Sequence, residues 1–236
     1  MRKRSSFPTK KEIKQAFVAT IPVLTGYIIL GMGFGLMLYE KGFGAIWAFF
    51  MSLTIFAGSL EYVAVDLLAV GASVLTTALT SLALNARHIF YGISMVDKYK
   101  KVKRKPFLMF ALTDETYSLV CNDAALSKIE NKDNYYFLVS LFDYSYWVAG
   151  SVLGALVGAI LPFSTEGIDF VLTALFLTVF VEQWMSTKDH TAALVGVLAS
   201  VAALLICGPD NFLILAMIFI AIALTVLRKK RGITNE

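Results

Sequence analysis

Apolar residues in this chain run in long blocks, separated by short polar, glycine-containing or proline-containing stretches. Eight blocks stand out, at 16–39, 45–70, 73–95, 107–126, 136–162, 168–186, 191–207 and 211–227. About twenty apolar residues in a helix cross a bilayer's hydrocarbon core. The last two blocks are divided by Gly208-Pro209-Asp210, a turn signal. Length and the dominance of Leu, Ile, Val, Phe and Ala make these blocks helical. A transmembrane β-barrel would show period-two alternation in strands of about ten residues, and none is visible. The pattern predicts an all-α, polytopic membrane helical bundle of seven to eight hydrophobic segments, forming one membrane domain over 1–236.

Composition supports lipid as the solvent. Hydrophobic residues make up 58% and charged residues 16% of the 236, whereas soluble domains carry about 25% charged residues. The net charge of +4 would suit nucleic acid, but its placement argues against that partner. Basic residues gather in Arg2 to Lys14, Lys98 to Lys105 and Arg228 to Arg231, each beside an apolar block. Such flanks set topology and touch anionic lipid headgroups. The first block lacks a small-residue cleavage site and reads as a retained helix, not a signal peptide.

The basic runs also constrain the path. If every block crossed once, Lys98–Lys105 would lie opposite both termini, against the positive-inside tendency. Breaking or re-entering blocks 45–70 and 168–186 puts 1–15, 97–106 and 228–236 all on the cytoplasmic side. Non-helical backbone at that depth must line a cavity or be buried in protein. Gly58-Ser59 is a break signal in the first of these blocks; the second has no glycine. A faint internal repeat accompanies this count. Leu53-Thr54-Ile55-Phe56 resembles Leu177-Thr178-Val179-Phe180, and Gly31 and Gly35 have counterparts in Gly154 and Gly158. Small residues four apart let helices approach closely. Inverted repeats with interrupted helices recur in secondary transporters.

Polar groups inside apolar blocks are costly and need a partner or a purpose. At Gly58, Ser59 and Glu61, glycine permits a bend and the serine can cap a new half-helix, whose positive end suits an anionic group. Equally, the helix can run unbroken with Ser59 bonded to its own backbone. Glu61 at mid-membrane is either paired or protonated. A second cluster holds Asn85, Arg87 and His88. Asn85 and His88 share one helix face, Arg87 and Tyr91 another. Arg87 can grip a carboxylate or snorkel to the interface; His88 can relay protons or simply pack. The third cluster is Thr113, Asp114 and Glu115, two adjacent acids that either bridge helices or meet substrate. Asp143, Tyr144 and Tyr146 read as structural, as does Glu182-Gln183-Trp184.

Other chemistry is poorly supported. Cys121 and Cys207 have no redox or metal spacing, and two histidines do not make a zinc site. No Walker A sequence is present, and no cofactor is called for. At the three clusters the chain resembles the AzlC family of branched-chain amino acid permeases. The matching stretches are Phe56-Ala57-Gly58-Ser59, Asn85-Ala86-Arg87-His88 with Tyr91-Gly92, and Thr113-Asp114-Glu115. The resemblance spans roughly residues 12 to 227. It implies export of branched-chain or other hydrophobic amino acids and a small AzlD-type membrane subunit as partner. Glu61 departs from the glutamine often found there in the family. A channel, a carrier of another solute and a non-transporting scaffold remain alternatives.

Overall fold

A computed structural model describes residues 8–100, 102–121, 126–127, 129–160, scattered positions from 170 to 185, and then 188–208 and 212–230. All regular structure among the described residues is helical. In order these are α1 (Lys10–Glu40), α2 (Ala45–Thr54), α3 (Gly58–Ala69), α4 (Val74–Tyr99), α5 (Lys105–Phe110), α6 (Asp114–Cys121), α7 (Lys132–Ile160), α8 (Thr191–Cys207) and α9 (Phe212–Lys230). The helical expectation therefore holds. Among the described residues, α1 is the one helix both long and apolar enough to cross a membrane on its own.

The chain divides into two compact units, 1–72 with 84–172, and 73–83 with 173–236. In the second unit α8 and α9 pack on each other. Their outer faces are apolar, with Leu198, Leu205 and Ile206 all well exposed. A helix apolar all round belongs in a core or in lipid.

The first unit is built on α1 and α7. Thr9 and Glu12 form a capping box at the start of α1, satisfying two helix-end N–H groups reciprocally. From there the two helices keep register. Glu12 accepts from Asn134 at 3.2 Å, and Thr20 meets the Tyr146 hydroxyl at 3.1 Å. The Tyr27 ring lies 5.5 Å from that of Trp147. A Cβ on Gly31 would lie 3.0 Å from the Ser151 nitrogen, and one on Gly158 would lie 2.8 Å from the Tyr39 ring. Residue numbers rise together, so α1 and α7 are parallel. Glycines make the seam possible: a Cβ on Gly35 would overlap the Ser151 carbonyl oxygen, and one on Gly154 the Met32 carbonyl oxygen. This corrects the expected repeat. Gly31 and Gly35 do face the region of Gly154, but helices related by inversion would run antiparallel. The other half of that repeat, in 168–186, lies mostly outside the described residues.

Block 45–70 is broken, as expected. α2 ends at Thr54, Phe56 takes φ +44°, and α3 starts at Gly58. α3 then rises beside α1. Tyr62 donates to the Leu30 carbonyl at 2.6 Å, and further along Asp66 lies 3.9 Å from Lys41. The pair α2–α3 is thus a hairpin that returns to the end where α1 finishes. Block 107–126, expected as one helix, is also broken: α5 ends at Phe110 and α6 starts at Asp114. α6 runs beside the last turns of α4, with Tyr117 stacked on Tyr91 and Lys98 donating to the Cys121 carbonyl at 2.7 Å. This second hairpin returns to the end where α4 finishes. That end also holds the starts of α1 and α7, because Arg104 stacks on Phe137 and Lys11 bonds Glu130 at 2.7 Å. The two hairpins therefore enter from opposite ends.

Candidate functional site

The hairpin tips meet beside the middle of α7. Phe56 and Phe110 lie 6.3 Å apart, and both rings contact Tyr144. Helix ends leave backbone groups without intrahelical partners, and α7 supplies one: the Tyr144 hydroxyl donates to the Leu53 carbonyl at 2.6 Å. Phe56 is a non-glycine residue in the left-handed region, which costs roughly 1–2 kcal/mol. Its buried ring, held by Tyr144, offsets that strain. Gly58 does not supply the bend. Its missing Cβ instead admits the Trp147 ring, which a Cβ would meet at 3.1 Å. Nor is Ser59 the cap; α3 is capped by Ala57 without a side-chain bond.

Glu61 is fully buried just inside α3. Its Oε1 accepts from the Ala57 N–H and from the Trp147 indole N–H, both at 2.9 Å. The other oxygen, Oε2, has no hydrogen-bond partner. The ion pairs among the described residues, Lys11–Glu130 and Lys41–Asp66, do not involve it. A buried carboxylate half satisfied in this way is completed by a proton or a cationic group.

At the second tip, Thr113 bonds the Thr116 N–H at 3.3 Å and so starts α6. Asp114 and Glu115 fall in its first turn, where the helix dipole favours negative charge. Glu115 is exposed and accepts from Tyr27 at 2.7 Å. Thr116 donates to Asp143 at 2.8 Å. Asp143 is fully buried and its Oδ1 has no hydrogen-bond partner. Two helix N-termini and two incompletely satisfied buried acids thus converge on one face of α7.

The second sequence cluster lies on α4. His88 Nδ1 is 3.3 Å from the Asn85 carbonyl, and the His88 ring stands edge-on to Tyr91. Asn85 Oδ1 is buried with no hydrogen-bond partner. The Arg87 side chain lies outside the described residues, so its expected role is carried by chemistry alone. Tyr91 links this stretch to α6 through Tyr117.

Sequence reasoning missed Tyr27, Trp147 and the weight of Asp143. Tyr27 and Trp147 read as ordinary aromatics in apolar blocks, and only the fold turns their polar atoms inward. One signal was available. Phe56-Ala57-Gly58-Ser59-Leu60-Glu61 parallels Phe110-Ala111-Leu112-Thr113-Asp114-Glu115, matching Phe, Ala, a hydroxyl residue and Glu in order. Both stretches are hairpin tips.

Proteins similar in sequence to this chain are described as membrane or transport proteins. The family model described as AzlC protein matches residues 22–161. The branched-chain amino acid transport protein AzlC of Bacillus subtilis is 43% identical over 217 residues, covering 92% of this chain and 85% of that protein. A membrane protein of Helicobacter pylori described as uncharacterized is 41% identical over 221 residues, 93% of this chain and 96% of its own. Inner membrane protein YgaZ of Escherichia coli is 31% identical over 192 residues, 77% and 78% of the two chains. No solved structure matches the chain.

Proposed function

This chain belongs to the AzlC family, and we propose that it is a multi-pass permease of the plasma membrane that exports branched-chain or other hydrophobic amino acids. In this reading residues 1–236 form one transport domain without enzymatic activity, coupled to protons and assisted by a small AzlD-type membrane subunit. The single observation that carries it is the meeting of two opposed, interrupted hairpins beside half-satisfied buried acids.

A zwitterionic amino acid needs a donor for its carboxylate and an acceptor for its ammonium. The N-termini of α3 and α6 offer backbone N–H groups and the positive end of a helix dipole. Arg87, with its planar fork, is the side-chain candidate for the same carboxylate. Glu61 Oε2 and Asp143 Oδ1 are candidate ammonium acceptors, each buried and open to one more bond. Asn85, His88, Asp114 and Glu115 complete the proposed set, with Gly58 admitting the Trp147 ring at one tip, Ser59 beside it in the first turn of α3, and Thr113 capping α6 at the other tip. Discontinuous helices whose ends bind substrate at mid-membrane are a recurring transporter design. The apolar faces of α8 and α9 support a lipid surround.

The test is efflux of leucine, isoleucine and valine from cells expressing the chain, with and without the small subunit. Export faster than in cells lacking the chain is expected, and dissipating the proton gradient should reduce it. Flux of an unrelated solute would favour a channel or another carrier. No flux of any solute from a correctly inserted chain, with the subunit present, would leave only a scaffold.

A further inference from the structure

Between Glu115 and Asp143 lies an unbroken series of hydroxyl oxygens drawn from two helices and one hairpin tip. Glu115 Oε2 is 2.7 Å from the Tyr27 hydroxyl, which is 2.6 Å from Thr113 Oγ1. Thr113 Oγ1 is 3.2 Å from Thr116 Oγ1, which is 2.8 Å from Asp143 Oδ2. We propose that these five residues form a proton wire joining an exposed carboxylate to a buried one. This deepens the reading of the chain as a proton-coupled transporter and rests on it.

Counting hydrogens leads to the wire. The four contacts need four hydrogens, and the hydroxyls of Tyr27, Thr113 and Thr116 supply three. While both acids are ionised, one contact always lacks a hydrogen, whichever way the hydroxyls turn. A single proton on either acid completes the set. With the proton on Glu115, each hydroxyl donates toward Asp143; with it on Asp143, each donates toward Glu115. Transfer breaks one O–H bond and forms the next along the row. One proton leaves Glu115, one arrives at Asp143, and the pair's total charge is unchanged. The Thr116 N–H occupies the second acceptor site of Thr113 in either state.

The two ends differ in a way a structural hydrogen-bond network has no need of. Glu115 is exposed, whereas Asp143 is fully buried with Oδ1 unpartnered. A proton collected at the exposed end is thus delivered next to an atom free to act on a second group. Among the described residues, the titratable groups facing Asp143 are Glu115 across the α6 contact, Tyr27 from α1, and Tyr135 and Tyr146 on α7 itself. None of these is a cation.

Infrared difference spectra of the purified chain, taken between alkaline and acid buffer, would show the C=O bands of its protonated acids, among them one from Asp143. Rapid mixing with heavy water then gives the exchange rate of the Asp143 proton. Asp143→Asn is expected to remove that band. Tyr27→Phe keeps its ring on Trp147 but lacks the hydroxyl. It should keep the band and slow its exchange about a hundredfold, the lower end of what a positioned proton-transfer group contributes. Thr116→Val should do the same, and it serves if Asp143→Asn does not fold. Wild-type exchange in both Tyr27→Phe and Thr116→Val overturns the wire, as does a set of C=O bands that Asp143→Asn leaves unchanged. Leucine counterflow in vesicles is measured on the same preparations. If leucine does not move but exchange slows as expected, the substrate reading fails and the wire stands. If leucine moves while exchange ignores both variants, the wire fails and the transport reading stands.

Discussion

Glu61 illustrates how one side chain can be structural through one oxygen and available through the other. Glu61→Gln keeps an acceptor for the Ala57 N–H and the Trp147 indole, so the fold should survive. Thermal unfolding in detergent should shift by only a few degrees, as about 1 kcal/mol does in a chain of this size. Because an amide does not titrate, the pH dependence of leucine transport should flatten. An unchanged profile in a stable variant would remove Glu61 from proton coupling. Glu61→Ala instead strands two buried donors and should cost about 3 kcal/mol, seen as a large drop in melting temperature. Arg87→Lys keeps the charge and loses the bidentate fork, so transport should fall with normal insertion if it grips a carboxylate; near-wild-type transport would retire that role. Glu61 was visible in the sequence because a charge in an apolar block stands out. Trp147 was not, because an indole N–H in such a block looks like any other packed aromatic until its partner is placed.

At the level of elements, hydropathy showed where apolar helix lies but not where it stops. The break in 45–70 was legible through Gly58-Ser59, yet its mechanism was not. The bend is at Phe56, and the glycine serves a close ring contact. The break in 107–126 was illegible because Ala111-Leu112-Thr113 contains neither glycine nor proline. It is held by the Thr113 cap and by Phe110 against Tyr144, contacts that residue type alone does not reveal. The glycine seam gives the sharpest prediction here. Gly154→Ala puts a methyl group onto the Met32 carbonyl and should cost about 3 kcal/mol, at the upper end for overpacking. Gly196→Ala, with open space around it, should be neutral or slightly stabilising within its helix. Yield and melting temperature of the two variants check this, and equal behaviour would mean that α1 and α7 do not meet at that seam.

For the whole molecule, two hairpins entering from opposite ends change the sidedness argument. A returning α2–α3 puts Lys41, Asp66 and Val70 at one end, and a returning α5–α6 keeps Lys98–Lys105 at the other, beside the start of α1. With Cys121 and Cys207 replaced by serine, Val70→Cys should react with an impermeant thiol reagent in intact cells. Lys103→Cys should react only after permeabilisation; ready labelling of Lys103→Cys from outside would reverse the assignment. The basic runs point to the same sidedness, but charge counting does not locate the reversals: one hairpin lies at α5–α6, and block 168–186, the other place expected to re-enter, lies mostly outside the described residues. The tip of α2–α3 also has a consequence for the order of synthesis. Its freed Leu53 carbonyl and its Glu61 carboxylate are completed by Tyr144 and Trp147, which follow 91 and 86 residues later. At about 5–20 residues per second, the ribosome needs roughly 5–20 s to deliver them. During that interval the nascent hairpin has polar groups that lipid cannot satisfy. Its final insertion therefore waits for α7, and a chain truncated before residue 144 should leave α2–α3 outside the bilayer, open to protease.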